Sequence, residues 1–460
     1  MSEKRHLQES KRLSFKDKIG YASASFGDAA AYSLIGSFLI FFLTTVVGID
    51  PATAGFLAAM GSVANAVINP IIGFISDNLF TKYGKRRPLI FLMTFPLALG
   101  MFLCFTSFDF AENTKPLYYG FMVIVYWCAY TAYFVPYQTL GAEYTNDYDE
   151  RTRLRSYASF FNMIGTLCAM VLPPMIVEFL EKAGFSTGRA WSITALAIAI
   201  LTTASILLTV LFSKDKDVCT QEEIDRPWKK LKADDLVKNY IQLFELKPMR
   251  AMIGASTAFL IGYVFVISGM VYYMTYNYGM SGTEISTTLL FRTVAGALMI
   301  PIVNKATIYL GKKRSLIFFE ILAACCFLLC FIAKSNTFML YFFILGTVWF
   351  ASIYWQLVPS MYYDICEYDM AKNGKDRKGQ IVSFQGLTEA LSMAIGSAVF
   401  GVLLDFGGFD GEKAVQSVET LATIKSVITV GVIVTIILGI IALSFYEISK
   451  ESFKKIKNMV

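Results

Sequence analysis

Twelve apolar blocks, each long enough to span a bilayer as helix, divide this chain between short polar stretches. They lie at roughly 18–48, 51–77, 88–109, 117–142, 155–180, 190–213, 250–279, 284–310, 315–333, 337–362, 381–405 and 422–446. A helix rises about 1.5 Å per residue, so about twenty residues cross a hydrocarbon core of about 30 Å. Backbone amides in that core must be bonded internally, which makes the blocks helices rather than strands of an open sheet. Composition agrees: 17% of residues are charged and 55% hydrophobic, against about 25% charged in a soluble domain. The expected fold class is an all-α polytopic membrane protein with twelve transmembrane helices.

Charge sets the expected orientation. Of 41 Lys and Arg, 33 fall in the N-tail, the even-to-odd loops and the C-tail. Six lie in the opposite loops, and Arg292 and Lys305 lie inside blocks. The positive-inside bias therefore places both termini in the cytoplasm, as an even helix count requires. The net charge of +6 reflects those loops, and no nucleic-acid partner is expected. The opening "MSEKRHLQESKRLSFKDK" lacks an apolar core and reads as a tail rather than a signal peptide. Eight cysteines without CxxC spacing read as small core residues, so neither a disulfide frame nor a metal site is expected.

A repeat organises the blocks. "GKRRPLIF" at 84–91 returns as "GKKRSLIF" at 311–318, six identities in eight positions. "VPYQTLGAEYTNDYDERTRLRSYASFF" after span four is echoed by "VPSMYYDICEYDMAKNGKDRKGQIVSF" after span ten. Two six-helix halves of parallel topology follow, the arrangement of major facilitator transporters. The expected domains are an N-tail (1–17), an N-terminal bundle (18–213), a cytoplasmic linker (214–249), a C-terminal bundle (250–446) and a C-tail (447–460). Within the linker, "DDLVKNYIQLF" puts Leu236, Tyr240, Leu243 and Phe244 on one face of an expected surface helix. Asp77, Gly84, Arg86, Arg87, Glu143, Arg151, Asp364 and Glu367 lie at the cytoplasmic helix ends and are candidates for an inner gate. Snorkelling anchors of topology are the alternative, and both roles can hold together.

Ionisable side chains deep in lipid are costly and are functional candidates by default. Asp28, Arg292 and Glu389 fall in the middle third of their spans, whereas Glu320 and Lys305 lie nearer the cytoplasmic ends, within reach of the interface. Asp28 either faces a cavity or pairs between helices, with Arg292 a conceivable partner. Tyr126, Tyr130, Tyr133 and Tyr137 form a stripe down span four, a sugar-stacking surface or simply a lipid-facing or packing face. Trp355 beside Gln356 offers an indole near an amide. Asn65 and Asn69, at i and i+4, suit helix–helix bonding or weak binding of a cation or hydroxyl. The candidate substrate-binding set is Asp28, Tyr32, Tyr130, Tyr133, Gln138, Arg292, Trp355, Gln356, Gln385 and Glu389. The candidate coupling set is Asp28, Asn65, Asn69 and Glu389.

"FGDAAAYSLIGSFLIFFLTTVVGID", "ANAVINPIIGFISDNLFTKYGKRRPLI" and "YWQLVPSMYYDICEYD" resemble the glycoside–pentoside–hexuronide cation symporters, the melibiose permease group. The resemblance runs over nearly the whole chain. It implies the major facilitator fold and import of sugars or glycosides with Na⁺, Li⁺ or H⁺. Trp355 falls on the family's sugar-contacting Trp. Asn65 and Asn69 stand where that group has two Na⁺-binding carboxylates, and Ala29 stands at its sugar-binding Asp, one residue from Asp28. Phe134, Ser159 and a position near Ala394 replace the family's Asp, Arg and Lys of spans four, five and eleven. The resemblance thus implies the scaffold without the melibiose-type site.

The expected function is sugar or glycoside import across the cytoplasmic membrane by a monomer, without cofactor, coupled to H⁺ in preference to Na⁺, or uncoupled. One alternative is a carrier of amphipathic cargo such as a lysolipid or steroid conjugate. Another is a sensor or membrane enzyme on a transporter scaffold. His6, the sole histidine, lies in the tail, which disfavours an enzyme.

Overall fold

Ser14 starts the first helix by reciprocal capping. Its hydroxyl accepts the Asp17 amide at 3.1 Å, and the Asp17 carboxylate accepts the Ser14 amide at 3.0 Å. The computed structural model describes residues 13–144, 148–224, 243–333, 336–373 and 378–448. Within it, α1 is Phe15–Thr45, α2 Pro51–Asn78, α3 Arg87–Cys104, α4 Lys115–Glu143, α5 Tyr148–Lys182 and α6 Thr187–Phe212. A single helical turn, Gln221–Ile224, follows. Then come α7 Lys247–Asn277, α8 Gly282–Leu310, α9 Lys312–Ile332, α10 Thr337–Asn373, α11 Lys378–Phe406 and α12 Val418–Ser444.

The remaining starts obey the same physics. Asp50 accepts the Thr53 amide at 2.8 Å ahead of Pro51, whose missing N–H is no loss in a first turn. Ser281 and Glu284 close a capping box on α8. π-Helical turns interrupt α7 at Tyr273–Asn277 and α12 at Val427–Gly431. Among the described residues, twelve helices are long and apolar enough to cross a membrane, one on each expected block. Some ends extend beyond the blocks, because polar residues at an interface can continue a helix: α5 begins at 148 and α10 runs to 373. Most of the expected linker helix, including Leu236 and Tyr240, lies outside the described residues. Leu243 is buried, and the Phe244 ring meets Phe384 edge-on at 5.2 Å.

Two compact units form, one from Met1–Ile35 with Val67–Leu231, the other from Gly36–Ala66 with Lys232–Val460. In the first, the first half of α1 is held by backbone-close contacts, Gly27 against Thr202 O of α6 and Gly165 of α5 against Phe26 O. Small residues permit this approach, which drives helix association in lipid through dispersion. Thr209 of α6 also enters the ladder of α1: its hydroxyl accepts Ala24 N at 2.9 Å and donates to Gly20 O at 2.6 Å. In the second unit, Gly55 of α2 packs on Gly401 of α11. Thr44 of α1 bonds the Tyr272 hydroxyl at 2.6 Å, and that ring packs on Phe41 and Phe409.

Candidate functional site

In the first unit the span-four stripe faces α1, and its hydroxyls decide what it does. Tyr130 donates to Asp28 Oδ1 at 2.6 Å. Tyr133 donates to Ala24 O at 2.8 Å, and Tyr137 bonds Ser25 Oγ at 2.5 Å. All four stripe tyrosines are buried, so the stripe faces protein rather than lipid. Asp28 is buried too, with rings close by: Tyr32 lies 5.8 Å from Trp127 and 6.0 Å from Tyr130, and Phe134 stacks on Tyr130 at 5.5 Å. The result is a carboxylate bonded to a phenol inside an aromatic shell. Nearer the start of α1, Arg155 of α5 donates to Gln138 Oε1 at 3.0 Å and lies beside the Tyr21 hydroxyl.

The second unit groups its polar side chains differently. Tyr263 of α7 meets Trp355 of α10 edge-on at 5.7 Å. Arg292 of α8 lies in electrostatic range of Tyr263 and donates from Nε to Thr347 Oγ1 at 3.2 Å. Gln356 turns to α8, donating to Asn304 Oδ1 at 2.6 Å and Ile300 O at 3.3 Å. On α11, Gln385 donates to Glu389 at 2.8 Å, one turn apart. Glu320 corrects an expectation: instead of reaching the interface it is fully buried, with both carboxyl oxygens lacking a hydrogen-bond partner among the described residues. Its helical face, not its depth, sets its environment. On α2, Asn65 of this unit is half-buried, and Asn69, which belongs to the first unit, is exposed.

The basic knots are wired into their own units. A tight turn, Thr81–Gly84, leads to Gly84 at φ +114°, where a Cβ would collide with Asp217. The buried Asp217 carboxylate accepts three successive amides, Lys85, Arg86 and Arg87, at 2.8, 2.8 and 2.7 Å. It is an anion seated at the N-terminus of α3, where aligned amides favour negative charge. Arg86 is buried and donates to Ser76 Oγ at 2.6 Å, while Arg87 donates to Val210 O at 2.8 Å. The second knot is built otherwise. Lys312 pairs with Asp364 at 2.6 Å, and Lys313 donates to Ser444 O and Tyr446 O. Glu367 is exposed. The side chains of Asp77, Glu143 and Arg151 lie outside the described residues.

Outside the spans, Glu150 and Tyr144 are among the groups with displaced ionisation. The Lys18 ammonium, 2.8 Å away, and the Leu13 amide hold the Glu150 carboxyl below its usual range. Burial pushes the Tyr144 phenol up to about 12, against the opposing effect of its bond to Ser213. Sequence reasoning overlooked Arg155, Tyr263, Asn304 and Asp217. Arg155 was hidden in the basic run "RTRLRS", although the helix continues unbroken through it. Asp217 has no local signal, because its partners lie about 130 residues away in sequence.

A family model described as "MFS/sugar transport protein" matches residues 20–450. The chain is 24% identical over 452 residues to the "Isoprimeverose transporter" of Lactiplantibacillus pentosus, covering 97% of this chain and 91% of that protein. It is 22% identical over 485 residues to "Sodium-dependent lysophosphatidylcholine symporter 1" of Gallus gallus, covering 98% and 90%. Among solved structures, the nucleoside transporter NupG matches 94% of this chain and 100% of that one at a TM-score of 0.69, with 13% identity.

Proposed function

Because the chain belongs to the MFS/sugar transport protein family, we propose that it imports a sugar or glycoside across the cytoplasmic membrane by alternating access, with H⁺ as the coupling ion. The observation that carries this reading is Asp28, a buried carboxylate bonded to a phenol within an aromatic shell. Sugars have apolar C–H faces that rest on rings and hydroxyl edges that donate to a carboxylate. We assign substrate contacts to Asp28, Tyr32, Tyr130, Tyr133 and Gln138 in the first unit. In the second we assign Arg292, Trp355, Gln356, Gln385 and Glu389, with Tyr263 added from its contact with Trp355. Coupling falls to Asp28 and Glu389. Asn65 and Asn69 supply only neutral oxygens, which compensate poorly for dehydrating Na⁺.

Both termini lie in the cytoplasm in this reading, and the knots with their acidic partners form the inner gate. The protein works as a monomer without a cofactor. A second reading, amphipathic cargo such as a lysolipid, draws support from the similarity to the avian lysophosphatidylcholine symporter.

Thermal shift of the purified protein tests both readings, with glycosides, pentosides and hexuronates at two pH values, with and without Na⁺. A ligand at a hundred times its Kd stabilises the folded state by about 2.7 kcal/mol. The expected result is a sugar-dependent shift that grows at low pH, ignores Na⁺ and is lost in Asp28→Asn. Silence across the sugars together with a shift from lysolipid would replace the first reading with the second.

A further inference from the structure

In the second unit, the first turn of α7 and the last turns of α12 enclose a groove of about 710 Å³. Its floor is apolar and open: Leu438, Ile441 and Phe445 are each more than half exposed. Its rim is basic, with Lys247 and Arg250 both exposed. Arg250 makes no ion pair with any described residue, and Glu447, 4.0 Å from Lys247, is the carboxylate lining the groove. Behind the rim, Lys313 donates to Ser444 O and Tyr446 O, the carbonyls that end α12. Two cations and one carboxylate therefore line the groove at the helix ends.

Snorkelling alone would explain basic side chains at helix ends, but not a concave apolar floor directly beneath them. The groove asks for a ligand with an anionic group at the rim and hydrocarbon below it. A soluble phosphate leaves the floor bare, and a zwitterionic headgroup brings its own cation to the Lys247–Arg250 rim. We propose that this groove binds an anionic phospholipid, its phosphate at Lys247 and Arg250 and an acyl chain along Leu438 and Ile441. Basic pockets between transmembrane helices on the cytoplasmic side meet the leaflet richest in such lipids. The choice of leaflet rests on the orientation proposed above, whereas binding itself does not.

Native mass spectrometry of the delipidated full-length protein in neutral detergent tests the proposal, with phosphatidylglycerol and phosphatidylcholine of matched chains as probes. Two charges facing an anionic lipid are worth roughly thirtyfold in affinity. Lys247→Gln/Arg250→Gln should therefore bind phosphatidylglycerol about thirtyfold more weakly, while the control Lys182→Gln/Arg189→Gln binds it like wild type. Leu438→Trp, which fills the groove without touching charge, should also weaken it. Phosphatidylcholine should bind wild type and the charge variant alike. Equal phosphatidylglycerol affinity in wild type and the charge variant would overturn the site. Equally tight binding of sn-glycerol 3-phosphate would overturn the lipid as its occupant.

Discussion

Replacing Asp217 by alanine should loosen the start of α3 while leaving the transmembrane core intact. Its carboxylate accepts three consecutive amides at 2.7 to 2.8 Å and is buried. Loss of a capping side chain costs about 0.5–2 kcal/mol. Loss of a partly buried charge at a helix terminus adds up to about 2 kcal/mol. A total of about 3 kcal/mol corresponds to roughly a hundredfold change in a local opening equilibrium. Hydrogen exchange followed by mass spectrometry reads this directly on peptides covering residues 85–90. Asp217→Asn separates charge from geometry. Its carbonyl can take the place of Oδ2 and keep Arg86 and Arg87, but its NH₂ then faces the Lys85 amide, so about half the effect should remain. If Asp217→Ala exchanges no faster than wild type in that segment, the capping argument is wrong.

Other perturbations probe neighbouring features. The Glu150 carboxyl is held low in the fold, so its contribution is present above the unfolded carboxylate pKa of about 4.3 and is lost as pH falls through the lower folded value. Protection of residues 13–18 should therefore drop only on strong acidification, and Glu150→Gln should lower it at neutral pH and flatten the pH profile. Thr209→Val removes the hydroxyl bridging Gly20 O and Ala24 N and should cost about 1–3 kcal/mol in denaturant unfolding. An unchanged midpoint would mean that the α1 ladder closes without it.

The number and placement of helices were legible because a bilayer imposes a minimum apolar length on every span. Their ends were less so: Tyr148–Leu154 and Tyr363–Asn373 read as loop chemistry yet stay helical. The 3.6-residue period of Tyr126, Tyr130, Tyr133 and Tyr137 revealed a face. It did not reveal that the neighbour is α1, nor that Tyr133 and Tyr137 bond α1 while Tyr130 alone reaches the Asp28 carboxylate. Depth marked Glu320 as near an interface, but depth says nothing of azimuth, and the side chain points into protein. Asp217 and Arg155 are tertiary facts, each fixed by a partner on a separate segment.

Asp28, Glu389 and Arg292, the ionisable groups of the middle third of the spans, share a property that bears on coupling. Asp28 accepts from a phenol, Glu389 from an amide, and Arg292 donates to a hydroxyl. A buried ion pair would fix both charges and oppose release of either one. Neutral partners orient a charged group without cancelling it, leaving its charge available to a proton, a cation or a substrate. Such an exchange is what a carrier needs, because a ligand shifts an equilibrium only as far as its affinities for the two states differ. Tyr130→Phe therefore tests more than one hydrogen bond. It should leave the Asp28 carboxyl in place but unaimed, weakening sugar binding while preserving a response to pH, whereas Asp28→Asn should abolish that response. Identical pH profiles for the two variants would remove Asp28 from the coupling chemistry and leave Glu389 as its carrier.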